Sequence, residues 1–480
     1  MSSPAQDLML PADPTQRGIA RELYGHARDL PLISPHGHVD PALLADDAPF
    51  PDPARLLVVP DHYVTRMLLS QGIPPGRLGV ARVDDSTGEA SETDGRAIWR
   101  LLAEHWYLFR GTPSRLWMER VLGDVFGIAA PLGPGTADAI YDELAERLAE
   151  PAFRPRALFQ RFSIEVLATT ESPLDPLRAH GRLAADGWGG PGGRVITTFR
   201  PDNLVDMDWP GWADRVSELG QLTGEDTTTF AGFLAALRRR RQAFIEAGAT
   251  STDHGHPTAA TLRLGAAQAQ ALLERGLRGD VDAADAETFR AAMLFEFARM
   301  SLDDGLVMQL HPGSVRNHNR RLYQTYGRDV GGDIPSPTGY VQELRPMLDA
   351  FGNDPRFRLV LYTLDETTFT RELAPLAGGY PAVFLGAPWW FLDSPEGLRR
   401  FRETVTETAG FYNTSGFVDD TRAFCSIPVR HDVARRADAA FLARLVAEHR
   451  LPIDEAAETI ADLAYHLPKK IFRLDGPARP

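Results

Sequence analysis

The sequence is nearly devoid of cysteine. Cys425 is the only one in 480 residues, so no intrachain disulfide can form and no cysteine-rich metal site exists. Cys425 itself reads as an inert small hydrophobe. No run of 18 apolar residues occurs, which leaves no candidate for a membrane-spanning helix. The opening MSSPAQDLML lacks a basic segment followed by an apolar one and does not read as a secretory signal. A cytoplasmic location is the resulting expectation. Positive charge is in deficit: 51 Lys and Arg against 65 Asp and Glu give a net charge of −14. That balance offers no basic footprint for nucleic acid or an anionic membrane. The run Arg238–Arg241 lies in a helical pattern and reads as a solvated helix face. No repeat of 20 to 50 residues is visible.

What remains is an ordinary globular composition, 43% hydrophobic and 24% charged, enough for a sizeable core. Whether the chain forms a homo-oligomer is left open at this level. The organising signal is a series of eight short β-rich runs, each ending in polar residues. They are Leu32–Pro35, Ile164–Thr169, Val195–Phe199, Ala249–Thr252, Leu306–Leu310, Leu359–Tyr362, Ala382–Leu385 and Ser415–Val418. Several are continuously apolar, as parallel strands buried on both faces are. Helical patterns separate many of them, for example Phe230–Ala247 and Phe289–Leu302. Eight strand–helix units predict an α/β fold, a distorted (β/α)8 TIM-type barrel. The glycine-rich Gly187–Gly193 reads as a connector before a strand.

One interval is far too long for a single helix, that between the first and second strands. It contains the helix-like segments Ile98–Phe109 and Ala137–Leu148. The expected organisation is therefore residues 1–40 as the start of the barrel, 41–158 as a mainly helical insertion on the catalytic side, and 159–480 as the remainder of the barrel.

The polar residues after the strands carry the candidate chemistry. His36-Gly37-His38 follows the first strand, and residues two apart in extended backbone point the same way. Both imidazoles can then address one metal. A second triplet, His254-Gly255-His256, shows that the pattern alone does not identify a site. Asp420 follows the eighth strand, which lies beside the first in a closed barrel. A carboxylate there can complete a His-His-Asp site or act as a general base, with Asp419 as its competitor and a helix N-cap as the plain alternative. Arg200, Arg316 and Arg422 stand near strand ends. A guanidinium holds a carboxylate by two parallel hydrogen bonds, so three converging arginines suit an acidic polyol, although a lone arginine is more often a surface ion pair. Asp61-His62-Tyr63 and Arg66 lie in the insertion. Tyr63 can transfer a proton if a nearby cation or metal lowers its pKa. Trp389 and its neighbours in Gly386–Phe391 form an aromatic wall for a sugar or for the core.

Taken together these segments resemble the uronate (glucuronate) isomerase family of the amidohydrolase superfamily. The matching pieces are HGH at His36–His38, DHYVTR at Asp61–Arg66, FRPD at Phe199–Asp202 and DHG at Asp253–Gly255. Further on come QLHPGSVRNHN at Gln309–Asn319, GAPWWF at Gly386–Phe391, DTRAF at Asp420–Phe424 and RHD at Arg430–Asp432. The resemblance implies one divalent metal ion, zinc in many members, held by His36, His38 and Asp420, without a bridging lysine at the fourth strand. It implies aldose–ketose isomerisation of a small-molecule hexuronate, D-glucuronate to D-fructuronate or D-galacturonate to D-tagaturonate, through an enediol. Asp420 and Tyr63 would be the acid–base pair, and His62, Arg200, His311, Arg316 and Arg422 would hold the substrate. A metal-dependent hydrolase of an acidic sugar or lactone on the same scaffold is the alternative. The chain departs from the family pattern at Thr170-Glu171-Ser172-Pro173, where the family has TDDP. It departs again at Lys470, where the family has arginine before an aromatic. Substrate choice is where these differences are expected to act.

Overall fold

The computed structural model describes residues 6–83, 90–188 and 193–475. Most of the Gly187–Gly193 connector lies outside the described residues.

Among the described residues, seven parallel strands carry the barrel. Strands β1 (Leu32–Ser34), β2 (Ile164–Ala168) and β3 (Arg194–Ile196) form one sheet in sequence order. Strand β4 (Ser251–His254) pairs with β5 (Val307–Leu310). A short antiparallel hairpin of β6 (Ser314–Val315) and β7 (Ile334–Pro335) leaves the barrel after β5. Strands β8 (Leu359–Leu361) and β9 (Val383–Leu385) then continue the second sheet, in the order β4-β5-β8-β9. The two sheets are joined by isolated bridges from Phe199 to Glu171 on one side and to Thr252 on the other.

The eighth expected strand, Ser415–Val418, does not form a ladder. It attaches through one bridge, Leu385 to Thr414, and through the Ser415 amide donating to the Leu385 carbonyl at 2.7 Å. Closure comes one step later, where the His38 amide donates to the Thr421 carbonyl at 3.0 Å. Gly416, at φ +74, supplies a turn in this segment that a β-ladder would not allow. The expected run Ala249–Thr252 is displaced to Ser251–His254, so the polar Asp253 and His254 belong to the strand itself.

Between β1 and β2 lie the helices Pro41–Asp46, Pro53–Leu57, His62–Leu69, Gly95–Glu104, Pro113–Arg120, Ala137–Ala149 and Pro155–Arg161, with short 3-10 and π turns among them. Several are started by side-chain caps with proline at the first position: Asp40, Asp52 and Thr112 accept from amides of the first turn. Their apolar faces, through Leu78, Trp99 and Leu144, share one core with Ile33 and Val166 of the barrel. A second core packs helices Trp212–Thr223, Phe230–Glu246 and Ala283–Asp304 on β5, β8 and β9. Helix Pro14–Ala27, capped by Asp13, packs on helices Ile427–Ala447 and Ile453–Ala461. The arginine run is not wholly solvated. Arg241 is buried and pairs through two nitrogens with Asp304, at 2.6 and 2.8 Å.

The excursion between β6 and β7 lies against helix His62–Leu69. At Gly331 (φ +84) an added Cβ would fall 3.0 Å from Arg66 Cβ and 3.1 Å from the His62 carbonyl oxygen. A left-handed backbone and a backbone neighbour both demand glycine there. Gly331→Ala should therefore lower the midpoint of thermal unfolding, at a cost of about 1–2 kcal/mol from the φ alone. Gly339→Ala, where a Cβ meets nothing within 4 Å, is the control expected to melt with the wild type in the same thermal scan.

Candidate functional site

The strand ends and the insertion enclose a cavity of about 670 Å³. Nine of the predicted site residues, His38, His62, Tyr63, Arg200, His311, Arg316, Trp389, Asp420 and Arg422, line it. His36 is buried just behind His38, with ring centroids 5.1 Å apart.

His36 and His38 both turn Nε2 toward Asp420 Oδ1, at 3.4 and 3.1 Å. Burial alone would push the Asp420 carboxyl up, yet the two imidazoles beside it hold it far below the usual carboxylate range. Asp420 also has φ +42, a conformation that non-glycine residues adopt at a cost. Asp419 is occupied elsewhere, paired with His431 Nε2 at 3.0 Å. The competition between the two aspartates is thus decided by neighbours that sequence spacing does not reveal. Two imidazoles and one carboxylate converging in a buried place are the donor set of a divalent metal, and the buried Asp420 Oδ1 and His36 Nδ1 have no hydrogen-bond partner.

The second triplet converges too: Asp202, His254 and His256 form a buried group of the same kind. Here the positive charge is already present in the protein. Arg200 donates from Nε to Asp202 Oδ2 at 2.9 Å and lies 3.2 Å from Asp253 Oδ2 through Nη1. His254 Nε2 is 2.9 Å from Thr252 Oγ1. A cation in this group would sit against the guanidinium, so the triplet reads as the support of Arg200. The chain has only two lysines, Lys469 and Lys470. Both sit on helix Leu467–Ile471 and neither lines the cavity, so a lysine-bridged pair of metals has no bridging residue.

The predicted arginines each have an acidic partner. Arg316 donates to Asp333 Oδ2 at 2.8 Å and lies over the Trp390 ring. Arg422, the more exposed of the set, is 3.0 Å from Asp329. Asp329 has φ +61 and Trp390 φ +51, so strained backbone recurs around the cavity. His311 Nε2 is 2.5 Å from Asp253 Oδ1, and its ring meets Trp389 edge-on at 4.9 Å.

His62 and Tyr63 come from the helix that Asp61 caps, accepting from the Tyr63 amide at 2.8 Å. Desolvation, with Arg422 adding to it, lowers His62 to about 3, so it is neutral. Tyr63 differs from expectation. Burial and the Asp393 charge raise its pKa well above that of an ordinary phenol, and no cation lowers it enough to make a tyrosinate. Sequence reasoning missed Asp329 and Asp393, neither of which stands in a spacing that singles it out, and it quoted Asp253 only as part of the matching DHG segment. It quoted Arg430 only within a matching motif. Of the two departures, Glu171 and Ser172 line the cavity, with Glu171 pushed by burial to about 7, whereas Lys470 lies away from it.

A family model described as glucuronate isomerase matches residues 11–472. The uronate isomerase of Phenylobacterium zucineum (strain HLK1) is 59% identical over 473 residues, 98% of this chain and 97% of that protein. The uronate isomerase of Xanthomonas axonopodis pv. citri (strain 306) is 58% identical over 468 residues, 98% of each. The crystal structure of glucuronate isomerase from Caulobacter crescentus superposes with a TM-score of 0.95 at 55% identity, covering 99% of this chain and 97% of that one. That of uronate isomerase from Thermotoga maritima gives 0.89 at 28% identity, covering 98% and 100%.

The two histidine triplets predict opposite outcomes. Metal analysis by mass spectrometry should find about one divalent ion per chain in the wild type, as a single site of this donor set holds. His38→Ala and Asp420→Ala should lose it, and His256→Ala should keep it. Loss in His256→Ala alone would move the metal to the other triplet.

Proposed function

The chain belongs to the glucuronate isomerase family of the amidohydrolase superfamily, and from that premise we propose how its own residues divide the work. The reaction is the interconversion of an aldose hexuronate and its ketose, an internal oxidation and reduction between C1 and C2. A hydrolytic reading on the same scaffold is not favoured by these relatives. The observation that carries the assignment is the meeting of His38 and Asp420, with His36 behind them, in one cavity with Arg200, Arg316 and Arg422.

A divalent ion on His36, His38 and Asp420, which we take to be zinc, would polarise the sugar oxygens and stabilise the enediolate. Both imidazoles address Oδ1 of Asp420, and the carboxylate keeps a second oxygen with which to take a proton. The two imidazoles beside it favour the ionised form of Asp420. It removes the proton from C2 and returns it to C1. Tyr63 serves the oxygen-bound protons. The hexuronate carboxylate takes the place of Asp329 on Arg422, exchanging one carboxylate for another on the same guanidinium. Arg200, Arg316, His62 and His311 hold the hydroxyls, and Trp389 offers its face to the ring carbons. The insertion, residues 41–158, covers the cavity and excludes water during proton transfer. A cytoplasmic enzyme acting on free hexuronates fits these features.

Ketose formation from D-glucuronate, and from D-galacturonate for comparison, tests the reading directly. Asp420→Asn should lower kcat by orders of magnitude. Near wild-type turnover with metal still bound would remove Asp420 as the base. Arg422→Met should raise KM by roughly 10- to 100-fold, the loss of a charge-assisted hydrogen bond of about 1.5–3 kcal/mol. Unchanged kinetics with a lower melting temperature would make Arg422 structural.

A further inference from the structure

Tyr63 meets the cavity with its own proton already committed. Its hydroxyl donates to Asp393 Oδ2 at 3.1 Å. Arg430 Nη1 donates to the same oxygen at 2.7 Å, and Asp393 Oδ1 has no hydrogen-bond partner. Tyr63 and Arg430 line the cavity, whereas Asp393 lies behind them, 5% exposed. Arg430 is held on several sides. Its guanidinium lies 3.8 Å from the Trp117 ring centroid and 5.5 Å from that of Tyr63, and Nε donates to Ser426 Oγ at 3.2 Å.

A phenol has one proton to give. One that donates to a buried carboxylate cannot also donate to the sugar, but its oxygen can still accept. An oxygen that accepts from substrate while donating to a carboxylate is the centre of a two-proton relay. Such a relay removes the need for a tyrosinate, which burial and the neighbouring negative charge oppose here.

We propose that Asp393 is the terminal proton holder of a relay running from the substrate oxygens through Tyr63 to Asp393. The inference rests on Tyr63 facing the substrate, as set out above. In the aldose-to-ketose direction the O–H bond of the C2 hydroxyl breaks and its proton passes to the Tyr63 oxygen. The Tyr63 proton passes at the same time to Asp393, which becomes a neutral acid. The reverse movement then delivers a proton through Tyr63 to the C1 oxygen. Asp420 carries the carbon-bound proton from C2 to C1, so C2 is oxidised, C1 is reduced and no outside electron acceptor is needed. Asp393 ends the cycle ionised, as it began. Because it acts through Tyr63, it is a positioning residue for the proton and not a substrate contact.

The charged surroundings suit both states. Tyr63 and Arg430 touch Asp393, Arg66 acts on it from the helix of Tyr63 and Asp420 from the barrel end, while Asp61 and Asp419 act on Arg430. Burial raises Asp393 to about 7, against the opposing pull of Arg430. The ionised form is the one that accepts, so kcat should fall as pH drops through neutrality.

The test uses metal-loaded enzyme and D-glucuronate, with kcat and KM measured across neutral pH. Asp393→Asn preserves an acceptor oxygen for Tyr63 but cannot take its proton. It should lower kcat by about 10²- to 10⁴-fold, the usual worth of a positioned proton-transfer group, with little change in KM, and should lose the acid limb. Asp393→Glu should recover part of kcat and keep the limb, displaced in pH. If Tyr63→Phe turns over at the wild-type rate, the role of Tyr63 itself fails. If Tyr63→Phe is slow while Asp393→Asn keeps the wild-type kcat and pH profile, the relay alone is overturned. Should Asp393→Asn not fold, the wild-type acid limb and its displacement in Asp393→Glu decide, and a wild-type kcat that is flat through neutral pH overturns the relay.

Discussion

The hydrogen bond from the His38 amide to the Thr421 carbonyl closes the barrel, and the site depends on that closure. It lays the end of the chain's last barrel segment against the end of its first strand. His36 and His38 thereby meet a carboxylate that is nearly the whole sequence away. The same turn forces Asp420 into a left-handed conformation, a local cost of about 1–2 kcal/mol. That cost is set against a closed backbone ring and two imidazoles that lie against the carboxylate.

Around this seam the electrostatics run against the global charge. A chain of net charge −14 cannot attract an acidic sugar at a distance. Attraction must be local, and three arginines line the cavity. Arg200 is half-buried between Asp202 and Asp253, Arg316 is tied to Asp333, and Arg422 to Asp329. Each pairing keeps a guanidinium extended toward the cavity before any ligand arrives, so less ordering is left for binding. The pairs also differ in kind. Arg200 is held by two carboxylates, while Arg422 is more exposed and is paired with Asp329.

The insertion completes the arrangement by packing. Its apolar faces share a core with β1 and β2, and the excursion after β6 is pressed onto helix His62–Leu69 so tightly that only glycine fits at 331. His62 and Tyr63 are consequently rigid parts of the site, although they belong to neither a strand nor a strand-end loop. Their chemistry follows from depth. Burial leaves His62 neutral and keeps the Tyr63 proton in place, which turns attention from the phenol to the carboxylate behind it.

The sequence by itself determined the features that repeat or that sit at a recognisable offset. Continuously apolar runs ending in polar residues located the strands, because a parallel strand is buried on both faces and its C-terminal end is not. The histidine triplet after β1, the arginines near strand ends and Trp389 were legible for that reason, and Asp420 was legible to within its neighbour Asp419. Tertiary structure decided the rest. Only packing shows that Asp419 is taken by His431 and Asp420 is not, or that Asp202, next to the His254 triplet, pairs with Arg200. Only packing makes Ser415–Val418 a single-bridge segment instead of a strand, because barrel closure there runs through a turn and not through a ladder. Asp329 and Asp393 carry no spacing signal at all. Their roles come from which distant side chain lies within hydrogen-bond or ion-pair reach and how little water surrounds the pair, and neither quantity is written in the order of the residues.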